Sequence, residues 1–132
     1  DLPSDVKLFT GFVFSRSRPQ RHKWGKWFVD LAEYEFDFWP PYVTAGAYIL
    51  SRDALVDMYY TSYFTRMFRF DDIWLGLIAK KADIDPFHNS QFFFHPPQYT
   101  VKEYKYIVAS HGFSDPEKML KIWTQQKEAG HA

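Results

Sequence analysis

Apolar positions along the chain change period several times, and each change marks an element. From Lys7 to Phe14 the residues Leu8, Phe9, Phe12, Val13 and Phe14 are apolar and mostly β-prone, which predicts a strand. Ser15 to Lys26 carries Arg16, Arg18, Arg21, His22, Lys23 and Lys26, is broken by Pro19 and bears Trp24, with Trp27 just beyond. It reads as a basic loop. Val29 to Phe38 mixes acids with rings and shows no helical period. Trp39-Pro40-Pro41-Tyr42 follows; two prolines fix φ and remove two donors, so the backbone must make a rigid bend there. Thr44 to Ala47 is small, which lets backbone approach closely, and Tyr48-Ile49-Leu50 reads as a buried strand.

The helical stretches begin on recognisable caps. Ser51-Arg52-Asp53-Ala54 places a capping hydroxyl and then an acid in a first turn, with Leu55, Met58 and Tyr59 on one apolar face. A second helix opens near Asp71-Asp72 and runs to about Lys81, closed by Ala82 to Pro86. Phe92-Phe93-Phe94 is a short apolar run, read as a strand, and Tyr104 to Ser110 reads as another, delivering His111 into a turn with Gly112. Ser114-Asp115-Pro116-Glu117 is a strong helix start, and Met119, Leu120, Ile122 and Trp123 give that helix an apolar face before Gly130. No internal repeat, low-complexity tract or linker interrupts this order, which describes one compact α/β unit.

Composition narrows the function. The chain has 132 residues with 16 basic and 16 acidic side chains, a length suited to one domain and a balance that argues against nucleic acid as a partner. There is no cysteine, which excludes disulfides, a thiolate nucleophile and cysteine-bound zinc. Aromatic residues make up 21%, more than a core of this size requires, and surplus rings line sites for sugars and flat ligands when they do not fill the interior. No run of about 18 apolar residues is present. The start at Asp1-Leu2-Pro3, without Met, is expected to be that of a fragment.

The stretch with most chemistry is Phe68-Arg69-Phe70-Asp71-Asp72-Ile73-Trp74-Leu75-Gly76. Rings around the acids strip water from them and raise a carboxyl pKa, while the helix N-terminus favours the anion. A carboxylate held between these influences suits a general base; a lone acid before a helix is more commonly a cap.

Three stretches together resemble the β1,3-glycosyltransferases, family 31 of the sugar-transferase classification. Trp39-Pro40-Pro41-Tyr42 with Ala45-Gly46-Ala47-Tyr48-Ile49-Leu50-Ser51 is similar to that family's Pro-Pro-Tyr…Gly-Tyr-Val-Leu-Ser segment. Phe70-Asp71-Asp72-Ile73-Trp74-Leu75-Gly76 resembles its Glu/Asp-Asp-Val-x-x-Gly motif, and His111 before Asp115 to Met119 resembles its C-terminal His and Pro-containing helix. The likeness is greatest to the brainiac-type β1,3-N-acetylglucosaminyltransferases and covers nearly the whole chain. It implies the C-terminal part of a GT-A domain, a Rossmann-like α/β sandwich, throughout residues 1–132.

The resemblance also implies inverting transfer of a hexose or N-acetylhexosamine from a UDP-sugar to a glycan or glycolipid acceptor, with N-acetylglucosamine as the expected sugar and galactose as the alternative. Mn²⁺ would sit on the diphosphate. Asp72 matches the family's candidate base, Asp71 its supporting acid, and His111 the histidine of the metal site. The family's Asp-x-Asp is not reproduced by Asp1 and Asp5 and is expected upstream. Thr44, Ala45 and Gly46 would present backbone to donor or acceptor. Trp39, Tyr42 and Tyr48 are candidates to stack on sugars, with wall packing as the competing role. Arg21 and Lys23 are candidates to meet an acceptor or a diphosphate, with a solvent-facing role as the competing reading. The relatives imply a membrane anchor and a place on the lumenal face of the Golgi membrane. Two other readings stay open: a sugar-binding module without catalysis, and a scaffolding domain.

Overall fold

A computed structural model describes residues 6–131, apart from the side chain of Ala45, so Asp1, Asp5 and the Ala45 side chain lie outside the described residues. In chain order the elements are β1 (Phe9–Phe14), β2 (Tyr42–Leu50), α1 (Arg52–Ser62), α2 (Asp71–Lys81), β3 (Phe87–His88), β4 (Phe92–Phe93), α3 (Val101–Tyr104), β5 (Ala109–Ser110) and α4 (Pro116–Glu128). The result is mixed α/β. β1 lies at the centre of one sheet, antiparallel to β2 and parallel to β3; β4 and β5 form a separate parallel pair.

Phe9 of β1 has no exposed surface, and burial of a ring that size contributes on the order of 2 kcal/mol. It packs with Val43 of β2, Ala54 and Met58 of α1, and Ile78 and Ala79 of α2. The two helices thus cover one face of the sheet. A second apolar cluster, Val29, Trp39 and Ile73, gathers Phe68, Phe70 and Tyr42 around it. It joins the irregular segment before the Pro-Pro bend to the first turn of α2.

Several expected elements form as their caps dictate. Ser51 Oγ accepts from Ala54 N at 3.3 Å and also from Leu8 N at 2.9 Å, so one hydroxyl both starts α1 and ties it to the strand. Asp115, one residue later than the expected Ser114, caps α4 by accepting from Glu117 N at 3.0 Å, with Pro116 in the first turn. α2 runs Asp71–Lys81 as expected, but it ends at Ala82 before Asp83 turns to φ 56, ahead of Pro86.

Other expectations need correction. Tyr104 to Ser110 is not one strand. Thr100 accepts from Glu103 N at 3.2 Å and donates to Glu103 Oε2 at 2.8 Å, a reciprocal cap that starts the short α3 and leaves only Ala109–Ser110 to pair as β5. The strand after the bend begins at Tyr42, not Tyr48, and Tyr48-Ile49 is exposed rather than buried. On α1 the buried side chains are Ala54 and Met58, with Leu55 and Tyr59 facing out. On α4, Ile122 and Gln126 are buried while Met119, Leu120 and Trp123 stay exposed.

Arg21 belongs neither to solvent nor to a diphosphate. Its guanidinium donates to Val29 O at 2.9 Å, Tyr34 O at 2.7 Å and Phe36 O at 3.0 Å. Three carbonyls of a segment with no ladder of its own are held by one planar fork, whereas Lys23 remains exposed. Arg21→Ala is expected to lower stability by about 2–3 kcal/mol, since hydrogen bonds to a charged group contribute about 1.5–3 kcal/mol each and water recovers part of the loss. Lys in its place is expected not to restore it, because an ammonium cannot span the three acceptors. Urea unfolding of the two variants checks this.

Candidate active site

The candidate side chains converge because β2 changes face in mid-strand. Phe9, Thr10 and Gly11 pair with Leu50, Ile49 and Tyr48, yet Val13 and Phe14 pair with Val43 and Tyr42. Two steps along β1 are answered by five along β2. The mismatch is odd, so the alternation of side chains inverts across it. Tyr42, Thr44 and Gly46 therefore share a face with Phe14, while Tyr48 turns to the face of Phe9 and meets that ring edge-on at 5.8 Å. Gly11 sits opposite the bulge. A Cβ there would lie 2.4 Å from Val43 Cγ1 and 2.8 Å from Ala47 O, so the crowded backbone admits only glycine.

Tyr42, Thr44 and Gly46 form one wall of an open cleft of about 410 Å³. Asp72 and Ile73 from the start of α2 line it, as do Trp39, Phe70, Phe94 and His111. Arg18 and Gln20 come from the basic loop and Trp27 from just beyond it. The volume suits a sugar or part of a nucleotide.

Asp72 stands in the first turn of α2. Phe70 supplies the N-cap backbone without a side-chain cap; its carbonyl accepts from Trp74 N at 2.8 Å. Asp71 Oδ1 accepts from Asp72 N at 3.0 Å, and Asp72 Oδ1 accepts from Ile73 N at 2.8 Å. Neither acid is the cap itself. Asp71 is exposed and is not among the residues lining the cleft; Asp72 is half-buried and lines it. Burial pushes the Asp72 carboxyl above its ordinary value, the Asp71 charge adds to that, and the Ile73 N–H pulls it back. Tyr42 shows the same environment: burial raises its phenol and the Asp72 charge raises it further, against a hydroxyl contact from Ser17.

Gly76 explains how the helix and the Pro-Pro-Tyr bend meet. A Cβ at that position would lie 2.7 Å from Tyr42 Cβ and 3.1 Å from Pro41 O. Only a bare backbone lets α2 approach the bend, and that approach brings Asp72 beside Tyr42.

His111 reaches the cleft from the carboxyl end of β5. Its N–H donates to Phe93 O at 3.0 Å, and its ring lies 6.3 Å from that of Phe94. The turn after it requires Gly112, at φ 99 and pressed against Pro96. A Cβ on Gly46 would stand 3.4 Å from His111 Cδ2, so the absence of a side chain there leaves the imidazole room. The imidazole and the Asp72 carboxylate face one cleft. Among the described residues no three His, Asp or Glu side chains gather where they could hold a metal ion. That donor set does not by itself fit Mn²⁺, which prefers six ligands rich in oxygen.

Two ring assignments change. Tyr48, 43% exposed, lies on the other face of the sheet and does not meet the cleft. Trp39 lines the cleft but is only 8% exposed, with Tyr34 at 4.3 Å and Phe68 at 5.5 Å; its ring is floor, not a stacking surface. Tyr42 keeps its place in the wall. Sequence reading did not single out Phe14, Arg18, Gln20 and Phe70 as cleft residues. The alternation of Phe12 and Phe14 along β1 was the available signal for one of them; the others needed the path of the loop.

This motif set on a mixed α/β frame is that of the sugar-transferase class, and comparison with known proteins agrees: the galactosyltransferase family model matches residues 2–90, so the chain belongs to that family. It is 50% identical over 126 residues to beta-1,3-galactosyltransferase brn of Drosophila melanogaster, covering 95% of this chain and 38% of that protein. It is 32% identical over 121 residues to beta-1,3-galactosyltransferase 5 of Mus musculus, covering 89% of this chain and 39% of the relative. It is 32% identical over 125 residues to beta-1,3-galactosyltransferase 1 of Homo sapiens, covering 95% and 38%. The chain thus spans less than two fifths of the length of these relatives.

Proposed function

We propose that the protein carries the C-terminal part of a single catalytic domain that transfers a hexose or N-acetylhexosamine, with inversion, from a UDP-sugar to a glycan or glycolipid hydroxyl in β1,3 linkage. The observation that carries this reading is Asp72: a half-buried acid, raised above its ordinary pKa, in a cleft it shares with His111. Inversion is a single displacement. The acceptor oxygen attacks the anomeric carbon, its proton passes to an Asp72 carboxylate oxygen, and the bond to UDP breaks with its electrons on the diphosphate. Burial lifts the Asp72 carboxyl above its ordinary value, and a raised carboxyl is a better proton acceptor than an ordinary one.

Thr44 and Gly46, with the Ala45 backbone between them, would offer strand backbone to the sugar nucleotide. Asp71, by taking the Asp72 N–H, holds the first turn that orients the base. Mn²⁺ belongs to the proposal with His111 as one ligand and the remaining donors outside the described residues; its chemistry would be to neutralise charge on the departing diphosphate. His111→Ala in the whole protein is expected to raise the Mn²⁺ concentration for half-maximal transfer by about tenfold, the loss of one of several ligands. An unchanged metal titration removes His111 from that role.

N-acetylglucosamine is the sugar that the brainiac-type likeness suggested, and the printed names of the relatives favour galactose. A screen of the whole protein with UDP-N-acetylglucosamine and UDP-galactose, Mn²⁺ and a mannose-terminated acceptor separates the two. Absence of transfer from any UDP-sugar overturns the enzymatic reading and leaves the sugar-binding module. The lumenal Golgi location and membrane anchor are part of the same proposal. No helix among the described residues is long and apolar enough to cross a membrane, so an anchor would lie elsewhere in the protein.

A further inference from the structure

Resting on that reading, we infer that Trp27 is the platform on which the acceptor sugar lies, and that it sets acceptor rather than donor affinity. Trp27 lines the cleft and is 49% exposed, whereas the cleft's other tryptophan, Trp39, is buried as its floor. An indole left half in water in a concave polar-rimmed site is surface that a ligand can cover. Its position is held. The ring meets Phe70 edge-on at 5.2 Å, and the Lys26 ammonium lies 4.6 Å from the ring centroid. Phe70 is the residue that opens α2, two before Asp72. Arg69 anchors the same segment by donating to Glu33 at 2.9 Å and to the Phe28 carbonyl, next to Trp27 in the chain.

That linkage decides which substrate the ring serves. The base must touch the hydroxyl it deprotonates, so the acceptor has to lie against Asp72. Trp27, through Phe70, is built onto the same helix start. His111, at the other element that reaches the cleft, stands across from Gly46 of β2. Arg18 and Gln20, from the loop just before Trp27, supply donors and an acceptor for sugar hydroxyls around the apolar ring face. A pyranose has this character, with C–H groups on one face and hydroxyls at the edge. A uracil base could also stack on an indole, and the test must separate the two.

The whole protein is assayed as wild type, Trp27→Ala and Trp27→Phe, with p-nitrophenyl β-mannoside, β-galactoside and β-N-acetylglucosaminide as acceptors and each UDP-sugar as donor. Trp27→Ala is expected to raise the acceptor KM by about tenfold, the scale of one lost aromatic stacking contact. The donor KM should stay at its wild-type value, and Trp27→Phe should recover most of the loss. An unchanged acceptor KM overturns the inference, as does a rise in donor KM in its place, which would give the ring to the nucleobase. Saturation-transfer NMR of the same glycosides needs no turnover. Signal lost on Trp27→Ala supports the platform even if no transfer is seen, in which case the transferase reading falls alone; signal retained overturns the platform.

Discussion

Asp72→Asn is expected to lower sugar transfer by the whole protein by about 10²–10⁴-fold, the usual contribution of a positioned general base, and at the same time to raise its thermal stability at neutral pH. Both effects come from one cause. Folding buries the Asp72 carboxyl and raises its pKa, so the native state binds that proton more tightly than the unfolded chain does. The stability linked to this group is fully present below the unfolded pKa, about 3.9, and is lost as pH rises through the higher folded value. The ionised form of Asp72 is the one its own fold disfavours, because burial penalises the charge. Asn removes the charge and keeps an oxygen for the Ile73 N–H.

The melting temperature of Asp72→Asn should exceed that of the wild type at pH 7, and the gap should close as pH falls toward 4. UDP-sugar binding should survive. A variant that is less stable at pH 7, or a gap indifferent to pH, would show that burial does not dominate this carboxyl. Near-normal turnover would remove Asp72 as the base.

Gly76→Ala is expected to lower both stability and transfer, and transfer by more. Alanine ordinarily gains about 1 kcal/mol over glycine inside a helix. Here its Cβ would fall 2.7 Å from Tyr42 Cβ and 3.1 Å from Pro41 O. Overpacking of this kind costs about 1–3 kcal/mol, and the bend cannot yield easily because two prolines stiffen it. α2 must shift instead, carrying Asp72 with it. A displacement near 1 Å can cost about 10²-fold in rate, so transfer should fall much further than stability. Wild-type activity together with wild-type urea unfolding would mean that the helix and the bend have slack between them.

Much of this arrangement was readable along the chain. Ser51 and Pro116 carry their helix starts in their own chemistry, because a cap needs only a side-chain oxygen and three following residues; at the second start that oxygen is on Asp115 and not on Ser114. Of the residues the resemblance brought forward, Asp72, His111, Thr44, Gly46, Tyr42 and Trp39 line one cleft, while Asp71 and Tyr48 do not. Tyr48, which the resemblance offers as a stacking ring, lies off the cleft because the register shifts within β2, and the bulge opposite Gly11 is invisible without the partner strand. Tyr104 to Ser110 was misread as one strand because its apolar alternation outweighed the cap that Thr100 and Glu103 make. The apolar faces expected on α1 and α4 were assigned by helical spacing alone; which side of a helix is covered depends on what packs there.

What the sequence by itself determined was local: helix starts, the stiff bend at Pro40-Pro41, the acid pair at the head of α2, the motifs of the galactosyltransferase family and the chemistry absent with cysteine. These depend on bonding and conformational preference within a few residues. Only the tertiary structure decided that Trp39 is floor and Trp27 is surface, that Arg21 clamps three carbonyls, and that Asp72 rather than Asp71 faces the cleft. Solvent exposure and face are properties of what lies opposite a residue, and that neighbour is supplied by chain distant in sequence.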